Sequence, residues 1–284
     1  MVRDALLAGV TVLAATAAAA QTPTCDALTA AQRAVSGRLL ASQHPYDCCD
    51  DTIAGCLAAQ PTCSLAVRLA DNVCRRVAAG QDEARIARAL SRRARSMVDS
   101  GAPAVMDLAG APSVGDPAAP VTVVVYACAR CPYCSKLVPA LHEAVTTGEA
   151  RAQARLVVRT FPIRGHEGST EAGLAFAAAH TMGRFWEFLL HAYRNFDAFA
   201  PERQTEWAAA VGLDPAAFAA RMADPATRDA LVESKKEGLA NGVEETPTLY
   251  LNGRRWAGDL ELGELLDVIA EEAGRIRGET WVER

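Results

Sequence analysis

Aromatic residues are scarce in this chain of 284 residues, at 6% of positions, and beyond the first twenty residues no apolar run is long enough to cross a bilayer. Neither sign of charge dominates. Lys and Arg number 29 against 34 Asp and Glu, a formal net charge of −5, so no broad basic footprint for nucleic acid exists. Histidines number only five and show no paired ligand spacing, and there is neither a glycine-rich phosphate loop nor a Ser-His-Asp arrangement that the spacing supports. No cofactor and no metal ligand set is therefore predicted. What is present is an ordinary globular composition, 50% hydrophobic and 22% charged, able to bury a sizeable core.

The first residues carry an address. Arg3 precedes an apolar, Ala-rich run from Ala5 to Ala20 that closes on small residues before Gln21. This reads as a secretory signal peptide over residues 1–20, cleaved after Ala20, because the run is shorter than the roughly 20 residues that span a bilayer. The mature chain is then expected to be periplasmic or otherwise extracytoplasmic, with no membrane span. Cysteine, by contrast, is plentiful: all nine, at positions 25, 48, 49, 56, 63, 74, 128, 131 and 134, follow the cleavage point. Export permits disulfides, and the clustering favours them. An odd count leaves at least one thiol free or paired with another molecule.

Residues 21–100 hold six of the nine cysteines and show helical periodicity. Leu65, Leu69, Val73 and Val77 recur every four residues, and Ile86 and Leu90 continue the stripe after Gly80, which ends one helix before Asp82 begins the next. Arg85, Arg88, Arg92, Arg93 and Arg95 follow as a solvated face. Residues 101–118, rich in Gly, Pro, Ala and Asp, read as a linker or irregular lead-in to a new domain.

From Val121 the pattern changes to a continuous β-branched run ending at Tyr126, as expected of a buried central strand. A turn from Ala127 to Arg130 leads into Cys131-Pro132-Tyr133-Cys134 and a helix to about Ala150. Arg155 to Phe161 is a second strand candidate. A long Ala-rich helical region follows, at about 168–240, with breaks at Pro201, Asp214-Pro215 and Asp224-Pro225. Thr248 to Leu251 reads as a strand, Asn252-Gly253 as a hairpin turn, and Leu260 to Glu272 as a closing amphipathic helix. Trp186, Phe185 and Phe188 read as core of the helical region, and His142, His180, His191, His44 and His166 as unremarkable.

Two residues between Cys131 and Cys134, at a strand-to-helix junction, allow a disulfide across the first helical turn. Cys131 at the helix start faces unpaired N–H groups and the positive end of the macrodipole, which favour a thiolate. Cys134, one turn inside, is shielded and placed to resolve a mixed disulfide formed at Cys131. Pro132 suits the first helical position. A C-x-x-C in isolation fits half a zinc site or a structural staple equally well, and Cys128 extends it to the opening of an iron–sulfur run. That run needs a fourth cysteine nearby, and none follows Cys134.

The surrounding residues weigh for redox chemistry. Residues 112 to 284 resemble the DsbA-type branch of the thioredoxin superfamily: Gly115-Asp116-Pro117 with Ala119-Pro120-Val121 before the strand, the C-P-Y-C centre, Pro139 five residues beyond it, Phe161-Pro162-Ile163 with His166, and Glu245-Thr246-Pro247-Thr248 leading to Asn252-Gly253. The resemblance implies an α/β thioredoxin-like fold over 119–284 with a helical insertion at about 168–240, and the helical periodicity of residues 21–100 sets a small cysteine-rich all-helical domain before it. It implies a cis Pro247 that sets Thr246 beside the Cys131 sulfur, with the Thr246 backbone open to an extended substrate segment. Pro132, Tyr133, Thr246 and Pro247 thus support the catalytic pair Cys131 and Cys134. Members often carry an acid six residues before the first cysteine; here that position is Val125. Cys128 is a possible additional thiol, or a small buried hydrophobe at the strand end.

Residues 48 to 98 are more weakly similar to the helical domain of CcmH, a cytochrome c maturation factor, through Cys48, Ile53-Ala54, Leu65-Ala66, Leu69, Val73, Val77 to Gly80, Ile86 and Leu90. That family's own C-x-x-C is not reproduced, since Pro45 stands where its first cysteine belongs. A three-helix bundle stapled by disulfides among Cys25, Cys48, Cys49, Cys56, Cys63 and Cys74 is the simpler expectation, with 15 possible pairings of six cysteines, all left open. Three functions follow: an exported thiol–disulfide oxidoreductase acting on protein thiols or disulfides with a redox partner protein; a dedicated reductant of apocytochrome cysteines; or a metal-binding or adaptor protein without turnover.

Overall fold

The computed structural model describes residues 23–98 and 101–278, so the segment read as a signal peptide lies outside the described residues. Two compact units divide after Ala87.

The first unit is helical: α1 (Pro23–Asp26), α2 (Ala30–Leu40), α3 (Ile53–Ala58), α4 (Ser64–Ala78) and the first residues of α5 (Glu83–Val98). Thr29 starts α2 through a capping box, its hydroxyl accepting from the Gln32 N–H while the Gln32 side chain accepts from the Thr29 N–H. The four-residue stripe of α4, Leu65, Leu69, Val73 and Val77, is buried, and Gly80 follows at φ 74°, a left-handed helix stop that only glycine adopts without strain. Disulfides join Cys25 to Cys74, Cys48 to Cys63 and Cys49 to Cys56. All six cysteines of this unit are therefore paired.

The second unit begins with the later turns of α5, and its arginines do not all behave as a solvated face. Arg93 is fully buried and pairs with Asp267 at 2.5 Å and Glu271 at 2.6 Å. Ser96 accepts from the Ala257 N–H at 2.9 Å. Residues 103–111 are likewise no free linker: Ala104, Met106, Leu108 and Ala111 pack on the Val124, Tyr126, Val157, Phe161 and Tyr250 face of the sheet, because that apolar face needs a cover.

Five strands follow, β1 (Ser113–Gly115), β2 (Val121–Ala127), β3 (Ala154–Thr160), β4 (Thr248–Leu251) and β5 (Arg254–Arg255), in the order β1-β3-β2-β4-β5. The central strand β2 runs parallel to β3 and antiparallel to β4. Burial on both faces explains its unbroken β-branched run. Between β2 and β3 lies α6 (Cys134–Thr146); between β3 and β4 stand α7 (Ser169–Thr181), α8 (Phe185–Arg194), α9 (Gln204–Ala210), α10 (Pro215–Ala223) and α11 (Pro225–Ala240); α12 (Leu262–Ile276) closes the unit. The two Asp-Pro breaks are helix starts. Asp214 and Asp224 cap α10 and α11 through their side chains, and Pro215 and Pro225 occupy the first positions, where a missing N–H costs nothing. Phe185 and Phe188 are buried in the core as the sequence suggests. Among the described residues no helix is long and apolar enough to cross a membrane.

Candidate active site

At the end of β2 the chain turns sharply: the Cys131 N–H donates to the Cys128 carbonyl at 3.1 Å, and the Ser135 N–H to the Cys131 carbonyl at 3.0 Å. The regular helix α6 starts at Cys134, three residues later than the motif suggested, with Tyr133 already in helical dihedrals. Pro132 and Tyr133 form the turn that leads into the helix, and the Ser135 N–H bond to the Cys131 carbonyl ties that turn to the first helical residues. The N-terminal end of α6 is thereby aimed at the Cys131 sulfur.

The cis peptide bond between Thr246 and Pro247, just before β4, brings a second loop to the same point. Cys131 Sγ donates to the Thr246 carbonyl at 3.2 Å. Cys131 and Cys134 are both buried, at 1% and 0% exposure, and both are free thiols, as is Cys128. The Cys134 thiol, donating to Cys131, holds the Cys131 thiol down to about 5; burial opposes this, while the Cys134 N–H, the Thr246 hydroxyl and the Tyr133 N–H assist. Cys134 moves far in the other direction, through burial first and then through its role as donor to Cys131. The Thr246 hydroxyl is buried without a conventional partner, so the sulfurs are its company. The pair is asymmetric although both are buried: Cys131 is held toward the thiolate and Cys134 toward the thiol.

Val125 is fully buried on the strand behind the pair. Among the described residues that position offers no carboxylate to take the Cys134 proton.

The helical insertion holds the loop from the far side. Tyr193 of α8 donates to the Cys128 carbonyl at 3.1 Å. Arg130 donates to the Phe196 carbonyl at 2.7 Å, and its guanidinium lies 4.5 Å from the Phe196 ring centre and 4.2 Å from that of Phe199. His166 Nδ1 lies 3.3 Å from Cys128 Sγ. None of these three contacts is legible in the sequence, because nothing local marks residues 38 to 66 positions apart as neighbours.

Beside the pair, exposed Tyr133 with Leu137, Ala140, Pro247, Leu260 and Leu262 lines an apolar hollow of about 290 Å³. The groove of about 610 Å³ lies elsewhere, between the β3–α7 loop and α11, and includes His166.

A model of the family Thioredoxin_4, described as Thioredoxin, matches residues 108–271, more than half of the chain, and the chain belongs to that family. A thioredoxin-like oxidoreductase from Silicibacter pomeroyi is similar at 26% identity, covering 60% of this chain and 93% of that one, with a TM-score of 0.50. BdbD from Bacillus subtilis, at 18% identity, covers 60% of this chain and 97% of its own with a TM-score of 0.53. Wolbachia pipientis alpha-DsbA1, at 20%, covers 62% and 96%, also at 0.53. The fold is thus the DsbA-like thioredoxin fold with its helical insertion. Among curated proteins, a Na(+)/H(+) antiporter NhaA 1 of Mycolicibacterium gilvum is 30% identical over 164 residues, 57% of this chain and 26% of the relative. An NhaA 3 of Salinispora tropica is 32% identical over 209 residues, 72% of this chain and 31% of its own length. The chain spans less than a third of the length of these curated relatives.

Proposed function

We propose that this chain is an exported thiol–disulfide oxidoreductase that exchanges disulfides with protein substrates, Cys131 being the nucleophile and Cys134 the resolving thiol. The observation that carries the reading is the meeting of two buried free thiols, Cys131 and Cys134, with the Thr246 loop, whose carbonyl lies 3.2 Å from Cys131 Sγ. In the reducing direction the Cys131 thiolate attacks a substrate disulfide, one substrate sulfur leaving as thiolate; Cys134 then gives up its proton and attacks Cys131, releasing the second. In the oxidising direction the same steps run backwards. A thiolate stabilised in the reduced protein makes the corresponding disulfide a stronger oxidant, so donation of disulfides to protein thiols is the favoured direction, with a redox partner protein restoring the disulfide.

The open backbone at Thr246 and the hollow beside Tyr133 and Pro247 suit an extended, apolar substrate segment. Three disulfides in the helical unit fit an extracytoplasmic location reached through the signal peptide of residues 1–20. They also leave that unit no free thiol, which gives the apocytochrome reductant no second redox pair to work with. The test is transfer of one disulfide from the oxidised protein to a reduced dithiol peptide. Transfer should vanish in Cys131→Ser, and persistence of transfer there would overturn the assignment.

A further inference from the structure

Cys128 is a buried thiol that the exchange just described does not use, yet it sits three residues before Cys131, the same spacing that separates Cys131 from Cys134. We propose that Cys128 is a second resolving thiol for mixed disulfides held on Cys131, with His166 as the base that takes its proton. The inference rests on the exchange proposed for Cys131.

Two independent features carry it. The Cys131 N–H to Cys128 carbonyl bond of 3.1 Å closes a four-residue turn. Such a turn holds its first and last Cα atoms within about 7 Å, the range over which a disulfide forms. The second feature is the imidazole. His166 Nδ1 lies 3.3 Å from Cys128 Sγ, within reach of a nucleophile and its base. The ring is only half-buried and lines the groove of about 610 Å³, which gives the proton a way out to solvent. The Arg130 N–H, 3.4 Å from the Cys128 sulfur, supports negative charge there.

The step balances without an outside reagent. Cys128 S–H passes its proton to His166 Nδ1, and the sulfur swings about its χ1 bond toward Cys131. It attacks Cys131 Sγ of the mixed disulfide, the Cys128–Cys131 bond forms, the bond to the substrate sulfur breaks, and the substrate leaves as a thiolate. Cys128 and Cys131 are oxidised together by the two electrons that the substrate sulfur receives. The consequence is practical: removal of Cys134 alone does not leave Cys131 as a permanent trap.

The experiment uses the full chain with Ellman's disulfide as probe. Attack by Cys131 releases one coloured nitrothiolate and leaves the other half bound; resolution by a neighbouring thiol releases the second. In Cys134→Ser, and in Cys134→Ala as a check on folding, a second equivalent should appear, and mass spectrometry should find Cys128 linked to Cys131. Adding Cys128→Ala should stop the reaction at one equivalent. His166→Asn should leave the first release unchanged and slow the second by about tenfold or more. A stable single adduct in both Cys134 variants would overturn the proposal while leaving the Cys131 nucleophile intact. Absence of even the first equivalent would remove both.

Discussion

Cys131 Sγ stands 3.2 Å from the carbonyl oxygen of Thr246, two residues that are 115 positions apart in the chain and meet only because β2 and β4 pair. The contact joins the proposed nucleophile to the backbone edge proposed to hold a substrate segment.

Alkylation of Cys131 should follow the thiolate, rising to half its maximum near pH 5, where that thiol is held. The same shift reaches into stability. A folded-state thiol depressed below its unfolded value contributes stability that is fully present above about pH 8.5 and is lost as pH falls through the folded value. In denaturant titrations the reduced protein should therefore gain stability relative to the oxidised protein between about pH 4.5 and about pH 7.5. An unchanging difference between the two forms would count against the thiolate.

Thr246→Val removes a hydroxyl that assists the thiolate while preserving shape. The Cys131 thiol should rise by about one unit, as expected for loss of one hydrogen bond to a charged group. The alkylation profile measures it directly, and the main support, donation from Cys134, remains in place.

A trap for natural substrates should combine Cys134→Ser with Cys128→Ala and retain Cys131. Mixed disulfides recovered with it from cells should be diverse if the enzyme is a general donor. A catch made up of cytochromes would instead favour the dedicated reductant.

Arg93→Met should destabilise the thioredoxin-like unit by about 3–5 kcal/mol, since Asp267 and Glu271 would keep their charges in a buried place. Arg38→Met, at an exposed pair with Glu83 that solvent screens, should leave stability almost unchanged. Thermal unfolding of the two variants separates the cases.

Removing the Cys25–Cys74 bridge, which spans 49 positions, should cost the helical unit about 4 kcal/mol, against about 2 kcal/mol for Cys49–Cys56 with its separation of 7. Paired alanine variants followed by circular dichroism would show the order.

The amino-acid sequence determined by itself whatever depends on neighbours within a turn or a strand. The four-residue stripe of α4, the β-branched run of β2, the Asp-Pro helix starts and the approach of Cys131 to Cys134 are all set by local geometry, so their patterns can be read directly. The likeness of Thr246-Pro247 to a known loop extended that reach to one long-range contact. Tertiary structure alone decided the rest. It chose one disulfide pairing among fifteen, drew Arg93 out of an apparently solvated run into a buried pair with α12, folded residues 103–111 over the sheet, and set His166 against Cys128. Each of these joins groups far apart in the chain whose partners are selected by burial and charge in three dimensions, and no periodicity along the sequence records such a choice.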